Sequence, residues 1–182
     1  MRQSGQSMVE FALSSVVLLL LVGGLVDIGR AIYLTEALSS AAREGARFGA
    51  RFDAPNLNHP YLNDVAIQRA VDAELATVSL PGSMLQNSST TCPAPTDGNG
   101  FHNPPYAGSA YPSTANQPWL YICYDNSNGV DYPVDTPTFN QSQQDVNVIV
   151  LLSYGPLTPL VTAQFGTFRI AANEHITIQG SG

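Results

Sequence analysis

The chain has 182 residues, enough for one domain with attached segments, and carries a net charge of −7 at pH 7. Residues 1–52 hold five arginines and four acids, whereas residues 53–182 hold two arginines and ten acids. The acidic part has no basic stripe that would neutralise phosphates, so we expect no nucleic-acid partner. The absence of lysine and the many Ser, Thr, Asn and Gln residues favour a surface displayed outside a cell.

The first predicted element is a membrane-spanning helix. An apolar run from Phe11 to Val26 follows a polar leader, residues 1–5. Counted from Met8, this segment would form a helix about 28 Å long, enough to cross the hydrocarbon core of a bilayer. Arg2 favours a cytoplasmic N-terminus and hence an extracytoplasmic C-terminal part. A secretory signal that is cleaved near Val22-Gly23-Gly24 is the alternative interpretation.

One acid, Glu10, lies at the edge of this apolar run. A charged side chain at the centre of a bilayer costs about 2.5 to 3.5 kcal/mol, and less near the membrane surface, so an acid at this position needs a partner. We therefore predict that Glu10 pairs with a neighbouring subunit.

The helix is predicted to continue beyond the membrane. No proline occurs between residues 27 and 52, and small or apolar residues recur at steps of three and four, while charged residues occupy the opposite face. The pattern predicts one transmembrane and stem helix over residues 6–52, about 70 Å long and ended by Asp53-Ala54-Pro55. The recurring residues are Ala31, Leu34, Leu38, Ala41, Ala42, Gly45, Gly49 and Phe52.

Three of these residues, Ala41, Gly45 and Gly49, follow one another at steps of four and form a stripe of small residues. Glycine destabilises a soluble helix by about 1 kcal/mol relative to alanine, so the two glycines require a packing reason. Such a stripe allows close approach of backbones. The partner is either the domain that follows in the chain or neighbouring copies of the same helix, and the sequence leaves both open.

The remainder, residues 53–182, is predicted to be an extracytoplasmic domain. A second, short helix is expected from about residue 63 to 78, closed by Leu80-Pro81-Gly82, and residues 83–118 form a long irregular loop. Asn128-Gly129 is typical of a hairpin turn. Alternating or aromatic patterns predict three antiparallel strands. The fold class is therefore α+β, a long N-terminal helix packed by a small antiparallel sheet. The strands are expected at residues 119–124, 145–154 and 165–178.

The chain has two cysteines, Cys92 and Cys123, and both follow the apolar run. An even number of cysteines in a segment that is exported favours a disulfide, and closing a loop of this length would stabilise the domain by about 3 to 4 kcal/mol. Two free buried thiols are the alternative. A zinc site is not expected, because there is no C-x-x-C motif and no histidine lies at ligand spacing.

No motif predicts an enzyme or a cofactor. His59, His102 and His175 lie apart, without a nucleophile motif, a zinc-protease motif or a phosphate-binding glycine loop. The segment Asp125–Asp131 carries oxygen ligands of the kind that calcium prefers, but its glycine is at the fifth position and no glutamate closes it, so a turn is the preferred interpretation. Asp97-Gly98-Asn99-Gly100 is likewise predicted to be a turn.

The N-terminal quarter of the chain, Gly5 to Arg51, resembles a known family. It opens with Gly-Gln-Ser-x-Val-Glu-Phe, continues with Asp27-Ile-Gly-Arg30 and then has Ala41-Ala-Arg-Glu-Gly-Ala-Arg47. These motifs resemble the TadE-like pseudopilins of the Tad (tight adherence, Flp) branch of type IV pilus machinery. The segment Val148–Leu160 also resembles the strand and proline segment near the end of that group, whereas residues 83–140 match nothing recognised.

The resemblance implies that a prepilin peptidase cleaves between Gly5 and Gln6. Glu10 would then be the fifth residue of the mature chain, where pilins hold the glutamate that pairs with a neighbour's N-terminal amine. The implied partners are other pilins or pseudopilins, the peptidase, the inner-membrane Tad assembly platform and membrane lipid. Major pilins of the Tad group are short, so the resemblance together with the size of the 53–182 domain implies a minor pilin, at the tip or in priming of an adherence pilus. A surface protein that stays in the membrane, or an exported binding domain, is the alternative.

Overall fold

A computed structural model of the protein describes residues 3–51, 64–80, 84–85, 92–99, 102–126 and 144–178. The described part of the chain contains three α-helices and one four-stranded sheet whose long strands pair antiparallel, so the α+β class predicted from the sequence is confirmed. In chain order the elements are helix α1 (Gln3–Gly49), helix α2 (Asp64–Ala76), strand β1 (Met84–Leu85), a 3₁₀ turn (Gly108–Ala110), strand β2 (Trp119–Asn126), strand β3 (Gln144–Tyr154), helix α3 (Pro159–Phe165) and strand β4 (Phe168–Thr177).

Helix α1 is continuous over 47 residues, which corresponds to about 70 Å. It ends at Gly49, earlier than the predicted end at residue 52. The Ala50 N–H still donates to the Ala46 carbonyl at 2.9 Å, but the Arg51 N–H donates to the Phe48 carbonyl at 3.4 Å, so the chain leaves the helix through a tighter turn. The predicted terminator Asp53-Ala54-Pro55 lies outside the described residues.

Helix α2 lies close to its predicted position. Its buried residues Ile67, Val71 and Leu75 follow at steps of four and pack on α1 and the sheet. The helix ends at Ala76, ahead of the predicted Leu80-Pro81-Gly82, because Ser79 takes a left-handed conformation with φ 56°. Residues 81 and 82 are outside the described part of the chain.

The sheet has the order β1-β2-β3-β4. The three long strands pair antiparallel, with Trp119 opposite Leu151 and Leu151 opposite Ala171, which confirms the predicted antiparallel sheet. Strand β1 pairs parallel with β2. The sequence did not predict it, because it has two residues and lies within a polar segment that has the composition of a loop.

Strand β3 is buried on both faces of the sheet, which explains its nearly continuous apolar sequence. One face packs on α1 and α2, and the other packs under the segment that precedes β2. Facing the helices are Val146, Val148, Val150, Leu152 and Tyr154.

The segment before β2 forms a layer over the second face of the sheet. We call its described part, residues 92–99 and 102–118, the covering segment. Cys92 and Cys123 are joined in a disulfide with an S–S distance of 1.98 Å. Two buried polar side chains of β3 also bind the covering segment. Asn147 donates a hydrogen bond to the His102 carbonyl at 2.9 Å, and Ser153 donates one to the Pro112 carbonyl at 2.6 Å. The predicted irregular loop is therefore one wall of a second apolar core.

The predicted strand 165–178 begins later, because residues Pro159–Phe165 form α3. Pro159 stands at the start of this helix, where its fixed φ is favourable and its missing N–H would have no partner. Gly166, with φ 67°, ends the helix, and β4 starts at Phe168. The pattern of apolar residues alone could not distinguish this seven-residue helix from the strand that follows it.

Candidate functional site

The predicted processing and pairing residues lie in the first turns of α1. The Gly5–Gln6 peptide bond is inside the helix, and a Cβ placed on Gly5 would meet no atom within 4 Å. Gln6 and Glu10 are both exposed. Among the described residues, no cation lies within ion-pair distance of the Glu10 carboxylate. The described residues therefore leave the Glu10 side chain exposed at the surface of α1.

The first half of α1 exposes apolar side chains on every side. Phe11 and Leu25 are exposed for 75% and 71% of their surface, and nearly all the residues between them are exposed too. This helix is long and apolar enough to cross a membrane. A helix that is apolar all round is typical of a membrane span or of the interior of an assembly.

In the second half of α1, the stripe of small residues contacts the protein's own domain. Ala41 is fully buried. A Cβ on Gly45 would lie 2.6 Å from Val71 Cγ2 of α2 and 3.2 Å from a methyl group of β3. A Cβ on Gly49 would lie 3.0 Å from Ile67 Cδ1. The sequence left open whether this stripe packs on the domain that follows or on neighbouring copies of the helix. At Gly45 and Gly49 it packs on α2 and β3 of the same chain.

Asp27 lies between the two halves of α1 and fastens the chain after β3 to the helix. Only 4% of this residue is exposed. Its Oδ1 accepts a hydrogen bond from the Leu157 N–H at 2.7 Å, and its Oδ2 accepts one from the Thr158 N–H at 3.1 Å. Hydrogen bonds to a charged acceptor are stronger than neutral ones, so the carboxylate holds the entry to α3 firmly against α1.

Tyr154, the last residue of β3, completes this junction. Its hydroxyl lies 3.1 Å from the Asp27 carbonyl oxygen and 3.3 Å from Asp27 Oδ1. The Arg30 guanidinium lies over the ring, with its central carbon 5.5 Å from the ring centre. Burial raises the pKa of the Tyr154 hydroxyl, and the negative charge of Asp27 adds to the increase. The phenol therefore stays protonated and able to donate.

We call Asp27, Arg30, Tyr154, Leu157 and Thr158 the junction. Asp27 and Arg30 belong to the motif Asp27-Ile-Gly-Arg30, but the motif does not reveal their contacts. The available signal was an acid directly after an apolar run, which must find donors when it is buried. The donors are backbone N–H groups some 130 residues away, and no local pattern identifies them.

Two of the three histidines and one of the predicted turns have hydrogen-bond partners among the described residues. His102 Nδ1 lies 3.0 Å from the Pro93 carbonyl oxygen, and His175 Nε2 lies 2.8 Å from Asn103 Oδ1. Asp97 accepts a hydrogen bond from the Asn99 N–H at 3.1 Å, as in an Asx turn. Within the described ranges there is no group of three or more His, Cys, Asp or Glu residues that could hold a metal ion. His59, Asn128-Gly129 and most of Asp125–Asp131 lie outside those ranges.

Comparison with protein families finds that residues 5–47 match the family described as TadE-like protein. The match covers most of α1, including Glu10, Asp27 and the first residues of the small stripe, and it confirms the resemblance predicted from the sequence. Comparison with curated proteins and with solved structures found no significant match.

Proposed function

We propose that this chain, whose residues 5–47 match the TadE-like family, is a membrane-anchored pseudopilin of the Tad pilus system. In this proposal residues 1–5 are a leader removed by a prepilin peptidase, residues 6–52 are the anchor and stem, and residues 53–182 are displayed outside the membrane. The protein acts as a minor pilin in priming, assembly or at the tip of a pilus used for adherence. It works through binding, not through catalysis.

The observation that carries the proposal is the change in burial along one continuous helix. Before Val26 the apolar side chains of α1 are exposed, whereas from Leu34 onwards one side of the helix is buried by α2 and the sheet. The exposed half requires an apolar environment, which a bilayer provides first and the helices of neighbouring subunits provide in a filament. In water, the exposed apolar surface of this half would be unfavourable.

Glu10 supplies the interaction that would order such an assembly. It lies 17 positions before Asp27, about 26 Å along the axis, and so at the opposite end of the apolar run from the junction. Cleavage after Gly5 creates an ammonium group on Gln6. An ammonium of an adjacent subunit would neutralise the carboxylate, which is unfavourable alone in apolar surroundings.

The mature N-terminus tests the processing step. We expect mass spectrometry of the membrane-bound protein to find Gln6 as the first residue. Gly5→Val should leave Met1 in place, whereas Gly24→Val, at another glycine of α1 that has no atom within 4 Å of its Cβ position, should not affect cleavage. A wild-type chain that retains Met1 contradicts the proposal, and an N-terminus beyond Val22 indicates an exported domain with a signal peptide.

The assembly step is tested separately with Glu10→Gln. The neutral side chain should keep membrane insertion but lower incorporation into pili, measured by immunoblot of sheared filaments. Glu36→Gln, on an exposed position of the same helix, is the matched control and should assemble normally. Normal incorporation of the Glu10→Gln variant contradicts the pairing role. Correct processing without any incorporation of the wild type indicates a surface protein that stays in the membrane.

A further inference from the structure

A second apolar surface lies beside the anchor. Leu157, which precedes α3, Phe165 at the end of α3 and Phe168 at the start of β4 are large side chains that are 62%, 70% and 44% exposed. Between α3 and α1 runs an open groove of about 470 Å³, which we call the α1–α3 groove. Its lining is apolar: Gly24, Ile28 and Ile32 from α1, and Val161, Phe165 and Phe168 from the other side.

The depth of α3 follows from its contact with the apolar run. A Cβ on Gly23 would lie 3.0 Å from Thr158 Oγ1, so the residue that precedes α3 touches a position within the run Phe11–Val26. Gly23 is about 5 Å along the axis before the run ends at Val26. If α1 crosses the bilayer, the start of α3 and the adjacent Leu157 therefore lie at the level where hydrocarbon meets the headgroups. Phe165, at the other end of α3, lines the α1–α3 groove together with Gly24 and Ile28.

The groove has little that would be unfavourable in hydrocarbon. The one acid that lines it, Asp27, has both carboxylate oxygens bound by the N–H groups of Leu157 and Thr158. Hydrogen bonding of this kind is what makes a polar group tolerable outside water. A large apolar patch on a protein surface marks a binding surface, and this patch is continuous with a helix surface that already faces lipid.

We propose that Leu157, α3 and the start of β4 form a membrane-seated foot, in which Leu157, Phe165 and Phe168 insert into the outer leaflet and lipid acyl chains fill the α1–α3 groove. Lipid is the favoured occupant because the groove runs into the anchor surface, and its one charged lining residue, Asp27, already has both carboxylate oxygens bound by backbone N–H groups. Tyr33, which is 57% exposed, lies about 9 Å beyond Asp27 along the axis, where aromatic residues of an interfacial belt are found. The foot would fix the height and tilt of the domain on the membrane before assembly.

This inference rests on the membrane anchor of the proposed function, so the test has to distinguish the two. Single tryptophans are placed in a Trp119→Phe background of the full-length chain, one copy per phosphatidylcholine nanodisc, with and without brominated acyl chains. Leu18→Trp reports the anchor, Phe165→Trp reports the foot, and Thr177→Trp is the control. Thr177 is an exposed residue at the far end of β4, about 30 Å from Phe168 along the same strand.

We expect brominated lipid to quench both Leu18→Trp and Phe165→Trp and to leave Thr177→Trp unquenched. Quenching of Leu18→Trp with Phe165→Trp as bright as Thr177→Trp overturns the foot and leaves the anchor intact. No quenching of Leu18→Trp overturns the anchor and the foot together. Loss of Phe165→Trp quenching when each disc holds two copies shows that a second copy occupies the groove, and this also overturns the proposal.

The background substitution has its own control. Trp119 packs on the second core of the sheet, so Trp119→Phe could lower the stability of the domain. The same three tryptophans are therefore also placed in the native background, and the signal of the wild-type chain in brominated lipid is subtracted. The order of quenching among the three positions should be the same in both backgrounds. A reversed order of Phe165→Trp and Thr177→Trp contradicts the foot in either one.

Discussion

The Tyr154 hydroxyl lies 3.1 Å from the Asp27 carbonyl oxygen, although 127 residues separate the two in the chain. This contact joins the last residue of β3 to the point where the apolar run of α1 ends. Further along α1, Gly45 and Gly49 are enclosed by α2 and β3. The domain is therefore attached to its stem at both ends of β3. Because α1 is continuous through both attachments, the domain is held in a defined position relative to the apolar first half of the helix.

The first prediction concerns the Asp27 carboxylate. Asp27→Asn keeps one oxygen but turns an NH₂ group toward the N–H of Leu157 or Thr158 and removes the charge. Leaving a buried donor without an acceptor costs about 1 to 3 kcal/mol, so the free energy of local opening at α3 should fall by this amount. Hydrogen exchange of the Leu157 and Thr158 amides in the full-length protein should accelerate by about ten-fold or more.

Glu36→Gln is the control for this experiment, since Glu36 is an exposed acid on the same helix. It should leave exchange at Leu157 and Thr158 unaffected. The assignment of Asp27 as the acceptor is wrong if its two donor amides exchange at wild-type rates in the Asp27→Asn protein.

The second prediction concerns the close approach at Gly45. An alanine there would bring its Cβ to 2.6 Å from Val71 Cγ2 and 3.2 Å from Val148 Cγ1, so side chains of α2 and β3 must move. Overpacking of this kind typically costs about 1 to 3 kcal/mol. We expect Gly45→Ala to lower the denaturant concentration at which half of the domain is unfolded. Unfolding can be measured by the fluorescence of the single tryptophan of the chain.

Gly29→Ala is the matched control, because Gly29 is in the same helix and a Cβ there meets no atom within 4 Å. It should leave the domain as stable as wild type or stabilise it by up to about 1 kcal/mol through better helix propensity. Equal effects of the two substitutions would mean that helix propensity, and not contact with α2 and β3, decides the outcome at Gly45.

Local patterns in the sequence predicted most of the fold. The spacing of small and apolar residues in α1 and the alternation in β2, β3 and β4 are periodic signals, and they identify the element and its buried face. The position of α3 was missed, because a seven-residue helix after Pro159 has too few residues to show a period. Strand β1 was missed for the same reason.

The candidate site divides in the same way. Glu10 can be identified from the sequence alone, because a charged residue at the edge of an apolar run is unusual whatever its partner is. The junction is not, because its donors are the backbone N–H groups of Leu157 and Thr158, and every residue except proline has such a group. Only the three-dimensional path of the chain shows which N–H groups reach Asp27.

The third prediction concerns the disulfide. Cys92 and Cys123 are separated by 31 residues, and their bond holds the start of the covering segment to β2. Closing a loop of this length stabilises a domain by about 3 to 4 kcal/mol in the chain-entropy model, so a Cys92→Ala/Cys123→Ala variant should unfold at lower denaturant concentration. A thiol assay on the unfolded wild type should find free groups only after reduction. Free thiols before reduction would contradict the bond.

The last prediction is the behaviour of two buried tyrosines at alkaline pH. Burial raises the pKa of Tyr121, and burial together with the charge of Asp27 raises the pKa of Tyr154. A hydroxyl whose pKa is raised on folding contributes stability that is fully present below the unfolded value of about 10 and is lost as the pH rises through the folded pKa. The ring ¹³C resonances of Tyr121 and Tyr154 should therefore titrate above pH 10 in NMR spectra of tyrosine-labelled protein.

Asp27→Asn separates the two causes of the increase. It removes the negative charge beside Tyr154 and should lower the titration midpoint of that residue, while Tyr121, which has only burial as a cause, should titrate as in wild type. Tyr121 hydrogen bonds to the Ala110 carbonyl on the opposite face of the sheet, so it serves as a control within the same molecule. An unchanged midpoint for Tyr154 would show that the carboxylate does not act on the phenol. A joint decrease of both midpoints would instead indicate that the whole domain had loosened.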